Sequence, residues 1–355
     1  MLNATTAKSL LLFYSLLTLE IYGRHEAFVS VKVHVPSWQI QMSSEPSLMD
    51  CMSHVCSQSL GRTIQLKPTS GGNGAAGGGG ATVRTVLDTL SGTKYFVKSA
   101  PMAQQGAATM LRAEYIGVQE MANTRTIKVP TPIAFGSGGP QNTAFLILEY
   151  IDLSLVGESS AYEMGQQLAQ MHRTSIASNQ NVPRFGFHVD NTIGATPQPN
   201  PWTDNWADFW ENHRLGYMLD LLDNLGYSVK DIALLKTITR QCLSHNPPPS
   251  LIHGDLWSGN KGYCRINGNS VPVIFDPATY YGDREADIAM TELFGGFGTD
   301  FYKGYESEWP LDTGYDKRKI IYNLYHIMNH GVLFGGGYQS QARNMIEEIM
   351  RFKVE

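Results

Sequence analysis

Apolar positions repeat with a period of two in the first part of the chain and mostly with a period of 3.6 thereafter. Thr82–Asp88 and Lys94–Lys98 alternate as strands, and Ser91-Gly92 between them marks a hairpin. On the second strand Lys94, Phe96 and Lys98 share one face, and Tyr95 and Val97 the other. Gln105–Asn123 reads as a helix with Leu111, Tyr115, Val118 and Ala122 along its stripe and Glu114 beside it. Val129–Pro132 marks an extended connector, and Ala144–Tyr150 is apolar enough to be a strand buried on both faces. Ser159 or Ser160 would cap a helix that runs to Arg173, with Met164, Leu168 and Met171 inward. A Gly-, Asn- and Pro-rich loop spans Arg184 to Pro201, and from Asp204 one long helix carries Trp206, Phe209, Trp210, Leu221 and Leu222 as core. After Pro247-Pro248-Pro249 the pattern returns to strands at Leu251–His253, Tyr263–Ile266 and Val271–Phe275, the last two flanking an Asn267-Gly268 turn. Helices near Lys317–His330 and Gln341–Phe352 close the chain. The pattern predicts an α+β protein of two lobes: a β-rich N-lobe over 46–150 and a mainly helical C-lobe over 151–355.

The 355 residues are 42% hydrophobic and 17% charged, with a mean hydropathy of -0.20. These values exclude a disordered chain, a coiled coil and a polytopic membrane protein. The 27 Lys and Arg against 32 Asp and Glu give a net charge of -5 with no long basic run, which argues against a nucleic-acid partner. Four cysteines without a CxxC pair fit a reducing compartment. Leu10–Leu19 is too short to span a bilayer, but matches a signal-peptide core. Ala27–Ser44 lacks acidic residues, as transit peptides do, so residues 1–45 resemble a two-part plastid presequence. His25 is a poor cleavage residue, and the other reading is an N-terminal extension on a cytoplasmic protein.

His253-Gly254-Asp255-Leu256-Trp257-Ser258-Gly259-Asn260, followed by Phe275-Asp276-Pro277, carries the chemistry. Asp255 and Asn260 have the D-x-x-x-x-N spacing of phosphoryl-transfer catalytic loops. One carboxylate faces an acceptor hydroxyl, while an amide a loop turn later can face a metal ion. A hairpin then returns a second carboxylate, Asp276, suited to Mg²⁺ bridging ATP phosphates. Lys98 on a strand and Glu114 on the next helix supply a phosphate-holding ion pair. The Gly-rich run before Ala81, with Gly78 and Gly79, has the composition of a loop whose backbone covers phosphates, though most such runs are linkers. Singly, Lys98 reads as a solvated lysine, Glu114 as a surface acid, Asp276 as a turn residue and His253 as a core imidazole. Their order and spacing together point to a kinase.

Leu251–Asn260 (LIHGDLWSGN), Val273–Tyr281 (VIFDPATYY), Gly282–Ala289 (GDREADIA), Phe294–Phe297 (FGGF) and Phe334–Tyr338 (FGGGY) resemble the fructosamine kinase family. Arg125–Pro130, Leu168–Arg173 and Phe185–Pro197 extend the resemblance, which runs from about residue 50 to the C-terminus. It implies a protein-kinase-like fold and ATP- and Mg²⁺-dependent phosphorylation of the sugar O3 of ketosamines on protein or on small amines. It further implies that Asp255 is the general base, that Asn260 and Asp276 are magnesium ligands, and that Lys98 and Glu114 are the phosphate-holding pair. Glu149, Tyr150 and Ile151 would bond adenine through their backbone, Trp257 would face the sugar, and Asp287 would brace the catalytic loop. The other reading of Asp287 is a helix N-terminal charge. Some relatives carry a redox-sensitive cysteine in the Gly-rich loop; Thr69–Thr85 has none, so that switch is expected to be missing. Two alternatives stay open: a kinase for another small hydroxyl acceptor, such as an aminoglycoside or choline, and a nucleotide-binding pseudokinase.

Overall fold

A computed structural model describes residues 46–69, 75–76, 80–153, 160–178 and 184–353. The expectations for residues 1–45 and for Gly78 and Gly79 fall outside the described residues. The chain opens with α1 (Leu48–Leu60), then β1 (Leu66–Pro68), β2 (Ala75–Ala76), β3 (Thr82–Asp88), β4 (Lys94–Pro101), α2 (Ala107–Thr124), β5 (Pro132–Gly138) and β6 (Thr143–Glu149). These strands form one antiparallel sheet in the order β1-β3-β4-β6-β5, with β2 pairing β3. α1 covers one face: Met52 and Cys56 pack on Val86, Tyr95, Val97, Phe145 and Ile147. α2 covers the other, where Leu111 meets Ala100, Ala144, Leu146 and Leu148. Alternate β6 residues thus enter two different cores, which is why Ala144–Glu149 reads as an unbroken apolar run before its acid.

The sequence pattern overlooked both α1 and β5, of which only Pro132 falls within the expected connector. Ser47 and Asp50 form a reciprocal capping box at the start of α1, a signal present in the sequence. Asp88, at the end of β3, accepts hydrogen bonds from the Gln65 and Leu90 amides, the Ser91 hydroxyl and Arg62. It thereby ties the β3–β4 turn to the segment after α1.

The remainder contains α3 (Ala161–Ser178), β7 (Asn191–Ile193), β8 (Thr196–Gln198), α4 (Trp206–Trp210), α5 (Tyr217–Asn224), α6 (Ile232–Cys242), β9 (Ser250–Ile252), β10 (Lys261–Ile266), β11 (Asn269–Ile274), β12 (Tyr280–Gly282), α7 (Arg284–Leu293), α8 (Thr299–Glu308), α9 (Tyr315–Phe334) and α10 (Gly337–Ile349). Asn267 and Gly268 take φ of 51° and 84° at the β10–β11 turn, the mirror-image turn their pairing demands. The helix expected from Asp204 is interrupted: Glu211–Gly216 is a π segment between α4 and α5. Buried Arg214 lies in that wider turn. Its guanidinium sits over the Tyr280 and Phe209 rings and donates to Pro199 O and Asn200 Oδ1, at 2.7 and 2.6 Å. A 3.6 pattern is blind to that insertion.

α3 and α8 approach backbone to backbone through Gly165 and Gly304. A Cβ at Gly304 would lie 2.0 Å from Tyr162 O, and one at Gly165 2.1 Å from Phe301 O. Gly304→Ala is expected to lower stability by about 1–3 kcal/mol through forced separation of the two helices, measured as the shift of the urea midpoint. An unchanged midpoint would show that the helices part without cost.

The β-rich and helical parts are clasped near the end of β6. Lys128 forms a parallel bridge with Val273, and the Ile274 amide donates to Lys128 O at 3.1 Å. Lys128 Nζ reaches Glu149 Oε2 at 2.6 Å. Among the described residues, no helix is long and apolar enough to cross a membrane.

Candidate functional site

Lys98 projects from β4 on the face covered by α2. Its Nζ lies 2.7 Å from Glu114 Oε1 on α2 and 2.7 Å from Asp276 Oδ1 after β11. Lys98 is 6% exposed, so its ammonium depends on these partners. Burial alone would lower its pKa, but Glu114 and then Asp276 more than offset that and raise it. Asp276 reaches the cleft on a left-handed backbone (φ 59°), a conformation non-glycine residues seldom adopt.

The β9–β10 connection supplies Asp255 and Asn260. Asn260 Nδ2 donates to Asp255 O at 2.8 Å, Asp255 Oδ2 at 3.3 Å and Asp276 O at 3.4 Å, while Phe275 N donates to Asn260 O at 3.0 Å. Hairpin β10–β11 is therefore the device that brings Asp276 beside Asn260. Burial, followed by the charge of Asp276, pushes the Asp255 carboxyl up to about 7.

The loop is held from beneath by Asp287 on α7. It accepts the His253 amide at 2.7 Å, the Gly254 amide at 2.8 Å and a hydrogen bond from His172 Nε2 at 3.1 Å. Burial opposes its charge, yet these donors hold its carboxyl below the usual range. His253 Nε2 donates to Phe275 O at 2.9 Å and its Nδ1 accepts the Asp255 amide at 3.3 Å, one tautomer satisfying both. Burial lowers its pKa, so it acts as a neutral brace. Gly254 has φ 79°, and a Cβ there would lie 2.2 Å from Ala278 O, so the position requires glycine.

Two adjoining cavities share this centre. The first, of about 270 Å³, is lined by Lys98, Glu114, Asp255, Asn260, Asp276 and, from β7 onward, Asn191, Thr192 and Gly194. The second, of about 370 Å³, shares Asp255, Trp257 and Gly194 and adds Phe294, His326, Asn329, His330, Phe334 and Tyr338. Trp257 stands in both, its indole lying so close over Gly259 that a Cβ there would be 2.3 Å from the ring.

The residues that the second cavity adds to Asp255 and Trp257 escaped the sequence reading as site residues. His326, Asn329 and His330 on α9 look like core at helical spacing, and Phe294, Phe334 and Tyr338 appeared only within family motifs. Gly335 and Gly336, at φ 64° and 57°, break α9 from α10 and set the exposed Phe334 against Tyr338. The β7–β8 hairpin lay unrecognised in a Pro-rich loop. Asn191 secures it, donating to Thr279 O at 2.8 Å and accepting from Gln198 and Asn200.

The anticipated nucleotide hinge is placed differently for its three members. The Glu149 amide donates to Thr131 O and its carboxylate takes Lys128 and Thr131, so the side chain is structural. Tyr150 lies beneath Lys94 in a separate open hollow with Lys67 and Thr85, and Ile151 follows it without a strand partner.

As an oxygen-donor set for a hard divalent cation, the residues fit. Asp276 offers a carboxylate, 41% exposed at its side chain, and Asn260 has its nitrogen spent on Asp255 and the backbone, so its carbonyl oxygen is the end available to a cation.

The fructosamine kinase family model matches residues 49–352. The probable ketoamine kinase of Synechocystis sp. is 51% identical over 73% of this chain and 83% of its own length. The chloroplastic protein-ribulosamine 3-kinase of Arabidopsis thaliana is 40% identical over 78% of this chain and 82% of its own. A crystal structure assigned as a fructosamine-3-kinase from Haemophilus somnus superposes with a TM-score of 0.72 at 30% identity, covering 84% of this chain and 96% of that one. With its family model spanning both the sheet and the helical part, this chain belongs to the fructosamine kinase family.

Proposed function

We propose that the protein is an ATP-dependent ketosamine 3-kinase that phosphorylates the sugar O3 of glycated amines, with ribulosamines preferred to fructosamines. The observation that carries this reading is the junction of the two cavities at Asp255. One is lined by Lys98, Glu114, Asn260 and Asp276, the other by aromatic and neutral polar groups. Asp255 takes the proton of the acceptor hydroxyl as that oxygen attacks the terminal phosphorus of ATP, whose bond to the bridging oxygen breaks so that ADP leaves. Glu114 holds Lys98 as the cation that receives the nucleotide phosphates. Tyr150 and Ile151 bond the adenine through their backbone. Asp276 and Asn260 hold magnesium, which when bound neutralises phosphate charge. Trp257 presents an apolar face to the sugar at the border of the two cavities. Asp287 fixes the loop that carries Asp255. The chloroplastic relatives and the acid-poor N-terminus support a plastid location.

The test is ADP formation by the full chain with Mg-ATP and ribulose-lysine, fructose-lysine, an aminoglycoside or choline. Turnover on the ketosamines alone, faster on ribulose-lysine, is the expected outcome. Turnover on the aminoglycoside or choline instead would transfer the same chemistry to another acceptor. Nucleotide binding without turnover on any acceptor would make the chain a pseudokinase.

A further inference from the structure

Asn329 lies on α9 at the wall of the second cavity, 3% exposed. Its Nδ2 donates to Ile193 O on β7 at 3.3 Å, which fixes which end of the amide faces the hairpin. Its Oδ1 is buried and has no hydrogen-bond partner among the described residues. An acceptor left in that state is destabilising, and folded proteins rarely leave one without something that supplies a donor. The cavity it lines contains Asp255 and Trp257, so the missing donor has a ready source in the acceptor substrate.

Resting on the ketosamine reading above, we propose that Asn329 Oδ1 accepts a hydrogen bond from a non-reacting hydroxyl of the sugar. It is thereby a specificity-determining residue for the acceptor. A hydroxyl suits the position better than the substrate's ammonium. Burying a charge against a neutral amide oxygen is far more costly than burying a hydroxyl that is hydrogen-bonded. No Lys or Arg lines the cavity among the described residues. His326 on the same wall is kept neutral by burial first and by the neighbouring His330 second, its pKa lowered to about 3. The wall thus offers neutral acceptors to a polyhydroxylated ligand, while Asp255, the one carboxylate lining the cavity among the described residues, is left for the reacting hydroxyl.

The experiment compares wild type with Asn329→Leu on a ketosamine, on analogues lacking each non-reacting hydroxyl in turn, and on an analogue with ether oxygen in place of the amine. The ratio of kcat/KM between acceptors within one preparation does not depend on how much of the variant is folded. In wild type, one deoxy analogue should lose about tenfold to a hundredfold in kcat/KM. In Asn329→Leu that penalty should shrink to within about twofold, with KM for the full acceptor raised and KM for ATP unchanged. Equal penalties in both proteins would overturn the assignment. So would a variant that abolishes only the penalty of the ether analogue, since the donor would then be the ammonium. Wild-type inactivity on every ketosamine would sink the reaction itself, whereas turnover with unchanged ratios would sink only the role of Asn329.

Discussion

Asp255→Asn should lower kcat about a thousandfold, the contribution expected of a positioned base, while Mg-ATP binds as in wild type. The substitution keeps the shape and an oxygen for Asn260 Nδ2, which lies 3.3 Å from Oδ2, but removes the basic site. The sign of the pH dependence follows from the carboxyl's raised pKa of about 7. The base works only when deprotonated, so kcat/KM should fall about tenfold per pH unit below that value and level off above it. Residual turnover of the Asn variant should lack this acidic limb. Steady-state kinetics across pH and calorimetric titration with nucleotide check both parts. Wild-type rates in the variant would remove Asp255 as the base.

Asp287→Ala is the second large effect, and it acts through folding as well as rate. The carboxylate collects the His253 and Gly254 amides and His172 Nε2 in a region closed to water. Removing it strands buried donors, at about 3–5 kcal/mol, or a fall in Tm of roughly 4–7 °C for a chain of this size. The freed loop no longer fixes Asp255, so the fraction that folds should turn over at least about a hundredfold more slowly. A variant with wild-type kcat and a lowered Tm would confine Asp287 to stability.

The parts of the fold visible in sequence are those where one local rule dominates. The β3–β4 pair, the α2 stripe and the Asn267-Gly268 turn each follow from a period or a turn dipeptide, and the structure agrees with them. The order Lys98, Glu114, Asp255, Asn260, Asp276 was legible because loop spacing and element type are both local. The structure brings those five side chains around one cavity. What escaped depends on long-range contact. The π segment exists to seat Arg214 among Phe209, Tyr280 and residues 199–200, which the helix itself does not announce. Asn329 is indistinguishable in sequence from a core amide until its unpartnered oxygen and the cavity around it are seen together. The side chain of Glu149 is claimed by Lys128 and Thr131 on the preceding extended segment, a pairing that its place at the end of an apolar strand does not announce.

The clasp at Lys128 has a mechanical consequence. Because the Ile274 amide is bonded across the junction to Lys128 O, the sheet cannot swing away from β10–β11 by stretching this point. A pivot of the sheet would take the clasp as fulcrum and carry Lys98 on the moving arm, against the packing of Val118 and Met121 of α2 in the helical core. The exchange lifetime of the Ile274 amide proton would record rupture of the fulcrum rather than ordinary opening and closing.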